Sequence, residues 1–277
     1  MAIITKITTQ QKNKERYNIF LDDGNGEKYA FSVHQDVLIA NDLKKGKEID
    51  ELDIEELAFA DDITKAKQHG MIFLSYRMRS TLEVIQYLRE KEYGEPVISE
   101  VIHKLTELKY LNDEEFARAY VRTNSRVGLK GPTILKQELV QKGIQQFVIE
   151  MVLADYTIEE QIEYAEVIVN KTIKKSKNVS SRVQHQKIHE ALSRKGFPQD
   201  TIRAVLQQID TQKEDDAEWE AMCVAGAKAH RRLKKLSGSE LEYKIKQTLY
   251  QKGFGLDLIE NYLQSEEWNE LLIDNDF

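Results

Sequence analysis

A phrase built on Lys-Gly followed by a large apolar residue returns three times in the chain: LVQKGI ending at Ile144, ALSRKGF ending at Phe197 and TLYQKGF ending at Phe254. An amphipathic run of helical spacing precedes each one, so the glycine stands where a helix stops. Glycine takes the left-handed C′ position without the penalty a β-carbon brings. A chain that stops helices on one repeated phrase is constrained to a series of similar helical repeats. The marker glycines Gly143, Gly196 and Gly253 lie 53 and 57 residues apart. Unequal spacing excludes a strict solenoid code and leaves only the first two helices of each repeat tightly specified.

From Ile54 onward apolar residues recur at helical spacing almost without a break. Residues 54–76 are expected to form a connecting helix, with Gly70 a candidate break. In the first repeat, 77–127, Ser80-Thr81-Leu82-Glu83 reads as a capping box opening a helix to Lys91. Gly94 follows as a stop, Pro96 suits the first turn of the next helix, and Val97, Val101, Leu105 and Leu108 form its buried stripe. Asn112 or Asp113 caps a third helix. The second repeat, 128–177, runs from Pro132 to Lys142, then Phe147 to Leu153, then from a Thr157 cap to Lys175. The third, 178–237, runs Ser181 to Lys195, Gln199 to Gln208 and Glu214 to Leu236. A partial fourth, 238–277, opens on Ser239-Glu240-Leu241-Glu242, a further capping-box pattern, and ends in an acidic segment whose third helix is short or missing.

The first 53 residues differ. Ile3 to Ile7, Tyr17 to Leu21 and Tyr29 to Val33 read as short strands, with Asp22-Asp23-Gly24-Asn25-Gly26 a hairpin signal between the last two. A short helix near Val37 to Asp42 and a fourth strand at Lys47 to Ile49 complete a small β-rich module. The fold class expected is mainly α: tandem three-helix repeats in an elongated, curved array behind that module.

The chemistry of catalysis is hard to find. Cys223 is the only cysteine, so no intrachain disulfide or multi-cysteine zinc site can form, and its helical context suits a buried thiol. His185 and His189 share a helix face, but the glutamate that HExxH places after its first histidine is missing. No GxSxG, Walker A or dinucleotide fingerprint occurs. No enzyme activity, metal or cofactor is expected. No apolar run reaches the roughly 18 residues of a membrane span and the N-terminus lacks a signal-peptide core, so a cytoplasmic location is expected.

Charge is strongly segregated behind a net charge of −7. Arg122 to Gln146 holds five bases against one acid, Lys171 to Arg203 nine against two, and Lys228 to Lys252 eight against two. By contrast Asp257 to Phe277 holds seven acids and no base. Lys228, Arg231, Arg232 and Lys235 follow the spacing of one helix face opposite Trp219 and Met222, and Lys171, Lys174 and Lys175 cluster likewise. Cations at helix C-termini also gain roughly 0.3–1 kcal/mol from the helix dipole, so local stabilisation and the binding of phosphate or an acidic partner both remain open. Lysine-rich patches without interleaved aromatics suit phosphate contacts, which carry no sequence information.

The ordered phrases RMRSTLEVIQYL, KYLNDEEFARAYV and GPTILKQELVQKGI resemble the RecX family of regulatory proteins, which modulate the bacterial recombinase RecA. The resemblance covers about Ala58 to the C-terminus and is most specific from Arg77 to Ile144. Met1 to Asp50 carries no such phrase; an N-terminal extension of this kind resembles only the longer members. The family is often richer in arginine where this chain has Thr133 and Ile134. The resemblance implies a regulator that binds the recombinase–DNA filament along its groove and inhibits ATP hydrolysis and strand exchange. Its expected partners are the filament and single-stranded DNA through phosphates, with no membrane and with the chain a monomer. The residues expected to carry binding are Arg122, Arg126, Lys130, Lys136, Lys142, Lys171, Lys174, Lys175, Arg182, Lys187, Arg194, Lys195, Lys228, Arg231, Arg232, Lys235, Lys244 and Lys246. The alternative is a helical nucleic-acid-binding protein that acts without a recombinase.

Overall fold

The structure is a computed structural model that describes residues 1–176, 179–210, 216–233 and 235–273. They form two compact units, one of residues 1–117 with 141–148 and the other of 118–140 with the described residues from 149 onward. In chain order the elements are β1 (Ala2–Thr9), β2 (Arg16–Asp22), β3 (Glu27–His34), α1 (Gln35–Ala40), β4 (Glu48–Ile49), α2 (Glu51–Ser75), α3 (Thr81–Glu90), α4 (Glu95–Glu107), α5 (Asp113–Arg126), α6 (Pro132–Gln141) and α7 (Gln146–Ala154). They continue with α8 (Ile158–Lys175), α9 (Ser181–Arg194), α10 (Gln199–Asp210), α11 (Asp216–Arg232), α12 (Gly238–Gln251), α13 (Leu256–Leu263) and α14 (Glu266–Ile273).

In the first unit the four strands make an antiparallel sheet of order β3-β2-β1-β4. The β2–β3 turn is held by the Asp22 carboxylate, which accepts the N–H groups of Gly24 and Gly26, both at positive φ. One face of the sheet buries Ile4, Ile19, Leu21, Val33 and Ile49 against α1 and Leu57 of α2. A buried ion network adds to this apolar contact: Asp61 of α2 accepts from the Arg16 guanidinium at 2.8 Å and from the His34 N–H at 2.7 Å, and pairs with Lys65 at 2.9 Å. Burial opposes ionisation of Asp61, but hydrogen bonds from Arg16, Lys65 and the His34 N–H outweigh it and lower its pKa.

Helix α2 is unbroken through Gly70. That glycine is buried, and a β-carbon there would lie 3.1 Å from Leu105 Cδ1, so its role is close packing. The far half of α2 is therefore more than a connector. Ile63 and Ala66 join Val84 and Leu88 of α3 and Val97, Ile98, Val101 and Leu105 of α4 in one core. Leu108, expected on that stripe, is exposed because α4 ends at Glu107. Ser80 and Glu83 form the expected capping box of α3. Gly94 does not stop that helix: Glu92 takes the left-handed conformation, and Gly94 is the N-cap of α4.

In the second unit α8, α9 and α10 share a core of Ala165, Ile168, Val169, Ile188, Leu192, Phe197, Ile202 and Val205. Helices α11, α12 and α13 share another, from Met222 and Ala225 through Ile245 and Leu249 to Ile259 and Tyr262, with Trp268 of α14 packed into it. Helices α2, α8 and α11 thus each pack with the two helices that follow, one helix out of phase with boundaries at 177/178 and 237/238. A periodic pattern fixes the period of a repeat but leaves its starting point open. The start expected for the last long helix at Glu214 lies outside the described residues. At its other end α11 stops at Arg232, short of Leu236. Helix α12 begins at Gly238 with Ser237 at its N-cap and no side-chain cap bond, so Ser239 lies within the first turn and makes no capping box.

Candidate functional site

The repeated Lys-Gly phrase turns out to be a joint. Gly143, Gly196 and Gly253 have φ of 76°, 82° and 88°, the left-handed region that ends α6, α9 and α12. Each also lies against the start of the middle helix of another bundle. A β-carbon on Gly143 would lie 2.8 Å from Leu82 Cβ in α3, and one on Gly196 would lie 2.7 Å from the Ile134 nitrogen in α6. One on Gly253 would lie 2.5 Å from Ser180 Oγ at the N-cap of α9. Backbone bonds reinforce two of the contacts: Gly131 N–H donates to Lys195 O at 2.7 Å, and Ser180 N–H donates to Lys252 O at 3.2 Å. The same phrase therefore ends one helix and satisfies an otherwise unpaired N–H at the start of another.

Two lysines expected to bind a partner are used in these internal contacts. Lys142 pairs with Glu83 at 3.1 Å and lies over the Phe116 ring, and Lys130 pairs with Glu138 at 2.6 Å while the Tyr120 hydroxyl donates to the same carboxylate. Burial resists the charge on Glu83, yet hydrogen bonds from Arg77, the Ser80 N–H and Lys142 hold its pKa down at about 2. Lys246 pairs with Glu260 at 3.3 Å, and Lys244 donates to Gln247 at 3.4 Å and lies over Tyr243.

The remaining cations are sorted by helix face. Between α8 and α9 runs a groove of about 440 Å³, lined on one wall by Ile168, Lys171, Thr172, Lys175 and Ser176 and on the other by Lys187, Glu190, Ala191, Arg194 and Lys195, with Leu129 at its edge. Both walls follow the spacing 0, 3, 4, 7, 8 that puts residues on a single helix face. Five cations and one carboxylate line it. Lys195 Nζ also donates to Gly128 O at 3.0 Å, and Arg194 Nε to Glu190 O at 3.3 Å, contacts that hold the heads of these side chains in place. Lys174 and Arg182 are exposed but do not line the groove, and Arg122, Arg126 and Lys136 are exposed on α5 and α6. Lys228, Arg231 and Arg232 are exposed on α11; Lys235 lies beyond its end, so the expected four-residue face is reduced to three on the helix.

Lys252 was not among the expected residues. It closes α12, half-buried, and burial followed by the charges of Lys228, Arg232 and Lys187 lowers its pKa. The signal was present in the repeated phrase itself, since each marker glycine is preceded by lysine. Cys223 is half-buried, and burial together with nearby Glu267 raises its pKa, which favours the thiol over the thiolate. His189 lies 3.1 Å from Gln199 Oε1, and among the described residues no three His, Cys, Asp or Glu side chains are placed to hold a metal. No helix among the described residues is long and apolar enough to cross a membrane.

Tandem three-helix bundles joined through glycine contacts, behind a small antiparallel sheet, define an α-helical repeat protein whose distinctive surface is a cation-lined groove. The chain belongs to the RecX family of regulatory proteins. The family's N-terminal domain matches residues 2–50, its first three-helix domain 66–105, its second 112–153, and its third both 159–206 and 216–263. The β-rich module is therefore a domain of the family, although its sequence showed no phrase to say so. Regulatory protein RecX of Bacillus velezensis is 49% identical over 267 residues, 96% of this chain and all of that protein. That of Bacillus subtilis is 48% identical over 268 residues, 97% of this chain and all of that one. A crystal structure of regulatory protein RecX, 36% identical, superposes with a TM-score of 0.66 over 75% of this chain and all of the other. RecX from Lactobacillus salivarius, also 36% identical, superposes at 0.53 over 55% of this chain and 99% of that one.

Proposed function

We propose that the chain regulates a RecA-type recombinase by binding the recombinase–DNA filament, and that it inhibits ATP hydrolysis and strand exchange from the filament groove. The observation that carries this reading is the α8–α9 groove: five cations on two facing helix stripes suit a row of phosphates, in a chain of a regulatory family. Such contacts position a protein on nucleic acid without reading bases. The acidic segments disfavour naked DNA, whereas a filament offers protein and phosphate together. Repeated bundles that touch successive protomers gain from effective concentration, so individually weak contacts suffice. Inhibition then follows from occupying the groove or from hindering filament growth.

The test adds the purified full chain to recombinase filaments on single-stranded DNA and measures ATP hydrolysis and strand exchange. Both are expected to fall. If both stay unchanged while the chain binds naked DNA tightly at physiological salt, the protein acts on nucleic acid without the recombinase.

A further inference from the structure

In the first unit a pair of stacked rings holds an arginine that pairs with no acid. Phe73 of α2 stacks flat on Tyr87 of α3, with centroids 4.1 Å and planes 5° apart. The Arg79 guanidinium lies over the Phe73 ring at 4.1 Å, and Lys91 Nζ lies 5.7 Å from the centroid of Tyr87. Arg79 is half-buried, its Nε is enclosed without a hydrogen-bond partner, and among the described residues it makes no ion pair. The carboxylate of the nearby capping box is already engaged: Glu83 accepts from Arg77 at 2.9 Å and from the Ser80 N–H and Lys142 at 3.1 Å each. The residues beside Arg79 in the chain leave apolar surface in solvent. Ile72 and Tyr76, four apart at the end of α2, are exposed, and so is Met78 in the link to α3.

A guanidinium fixed on an aromatic ring keeps its flat donor fork pre-organised, and that fork matches a single carboxylate or phosphate. A nucleic-acid strand repeats its charge and calls for a row of cations, as in the α8–α9 groove. Here Arg77 is neutralised by Glu83, and the aliphatic side chains of Ile72 and Met78 give a base no ring to stack on. Arginine, tyrosine and methionine are, by contrast, side chains enriched where proteins meet. We propose that Arg79, with Ile72, Tyr76 and Met78, forms a protein-docking patch for a surface that sets a carboxylate among apolar side chains. On the filament reading, on which this rests, that surface belongs to the recombinase. The chain then grips the filament by two chemistries, phosphate at the groove and protein at this patch.

The test titrates the full chain with purified recombinase free of nucleic acid and, as a second arm, with a thymidine oligonucleotide alone. The native chain is expected to bind the recombinase. Arg79→Lys keeps the charge but loses the flat fork, and is expected to weaken that binding by about tenfold or more while oligonucleotide affinity stays unchanged. Tyr76→Ser/Met78→Ser alters only exposed side chains, and is expected to lose recombinase binding likewise at an unchanged Tm, so the result does not depend on how Arg79 supports the fold. Recombinase binding that survives in either variant overturns the proposal, and so does a native chain that binds no nucleic-acid-free recombinase. An equal loss on the oligonucleotide arm also overturns it, since the patch would then belong to a nucleic-acid site. Inhibition of filaments by the native chain is scored separately. If inhibition is present while the variants bind normally, only the patch fails; if it is absent while the variants lose binding, only the filament reading fails.

Discussion

Gly253 and Ser180 approach so closely that a β-carbon on the glycine would lie 2.5 Å from the serine hydroxyl oxygen, the atom that caps α9 by accepting the Val183 N–H. The glycine's φ of 88° adds the left-handed penalty to this contact. Gly253→Ala is therefore expected to cost about 3 kcal/mol, of which about 1–2 is backbone strain and the rest displacement of the joint. Gly24→Ala is the control: it has a φ of 98° but nothing within 4 Å, so strain alone is expected. Urea unfolding of the two variants checks the difference; equal costs would mean that the joint yields freely.

Tyr262 offers the opposite sign. Its side chain is fully buried against Gly226, and its hydroxyl has no hydrogen-bond partner among the described residues. Burial raises its pKa, so the hydroxyl stays protonated. Tyr262→Phe removes an unsatisfied group and keeps the ring between Trp219 and Trp268, so a gain of about 1 kcal/mol is expected in thermal unfolding. A loss of stability would place an ordered water on that oxygen.

Local signals were legible where one residue type had one physical use. The Ser80 cap, the turn at Gly24 to Gly26 and the positive φ of the three marker glycines follow from capping, turn geometry and the missing β-carbon. Long-range pairings were not. Nothing adjacent to Arg16 or Asp61 indicates that they meet across 45 positions, and Lys130 and Lys142 have the same local composition as Lys171 and Lys187. Only tertiary contact reveals that the first two face carboxylates and the second two face a groove. The phase of the repeat was lost for a related reason: the joint phrase marks every bundle, while the apolar stripes of α8 and α11 fit either neighbour until packing chooses one.

Glu83 ties the joint to pH. Its folded pKa of about 2 lies below its ordinary 4.5, so its contribution to stability is complete above 4.5 and is lost as pH falls towards 2. In that window the unfolded state takes up the proton first, and stability drops with acidity. Glu83→Gln is expected to flatten the stability profile between about pH 4.5 and pH 2 while lowering the plateau above it. Chemical unfolding at a series of pH values measures both, and an unaltered slope would move the acid sensitivity to another carboxylate.

The Asp61 network predicts how the sheet module is attached. With Asp61 buried and Arg16 mostly so, Asp61→Asn leaves a guanidinium without its counter-charge, a change expected to cost about 3 kcal/mol. Because the sheet also packs on Leu57, the loss is expected to concentrate in β1 to β4 and the first turns of α2. Amide exchange should rise there and stay unchanged in α8 to α13. A uniform rise would instead mean that the whole chain unfolds as one cooperative body.

The lysines themselves separate structure from binding. Lys171 and Lys175 are exposed and face the groove, so Lys171→Glu/Lys175→Glu is expected to keep native helicity by circular dichroism and to weaken filament binding at least tenfold, about 1.4 kcal/mol. Lys130→Gln and Lys142→Gln are expected to do the reverse: they remove the partners of Glu138 and Glu83, costing about 1 kcal/mol of stability each, with little change in affinity. Charge reversal of Lys228, Arg231, Arg232 and Lys235 belongs with the first pair, since none of these side chains is packed inside. Unfolding and filament-binding titrations on the same variants decide the matter. If every lysine variant loses affinity in proportion to the charge removed, wherever it sits, then the general field of the chain attracts the filament and the groove has no special part in it.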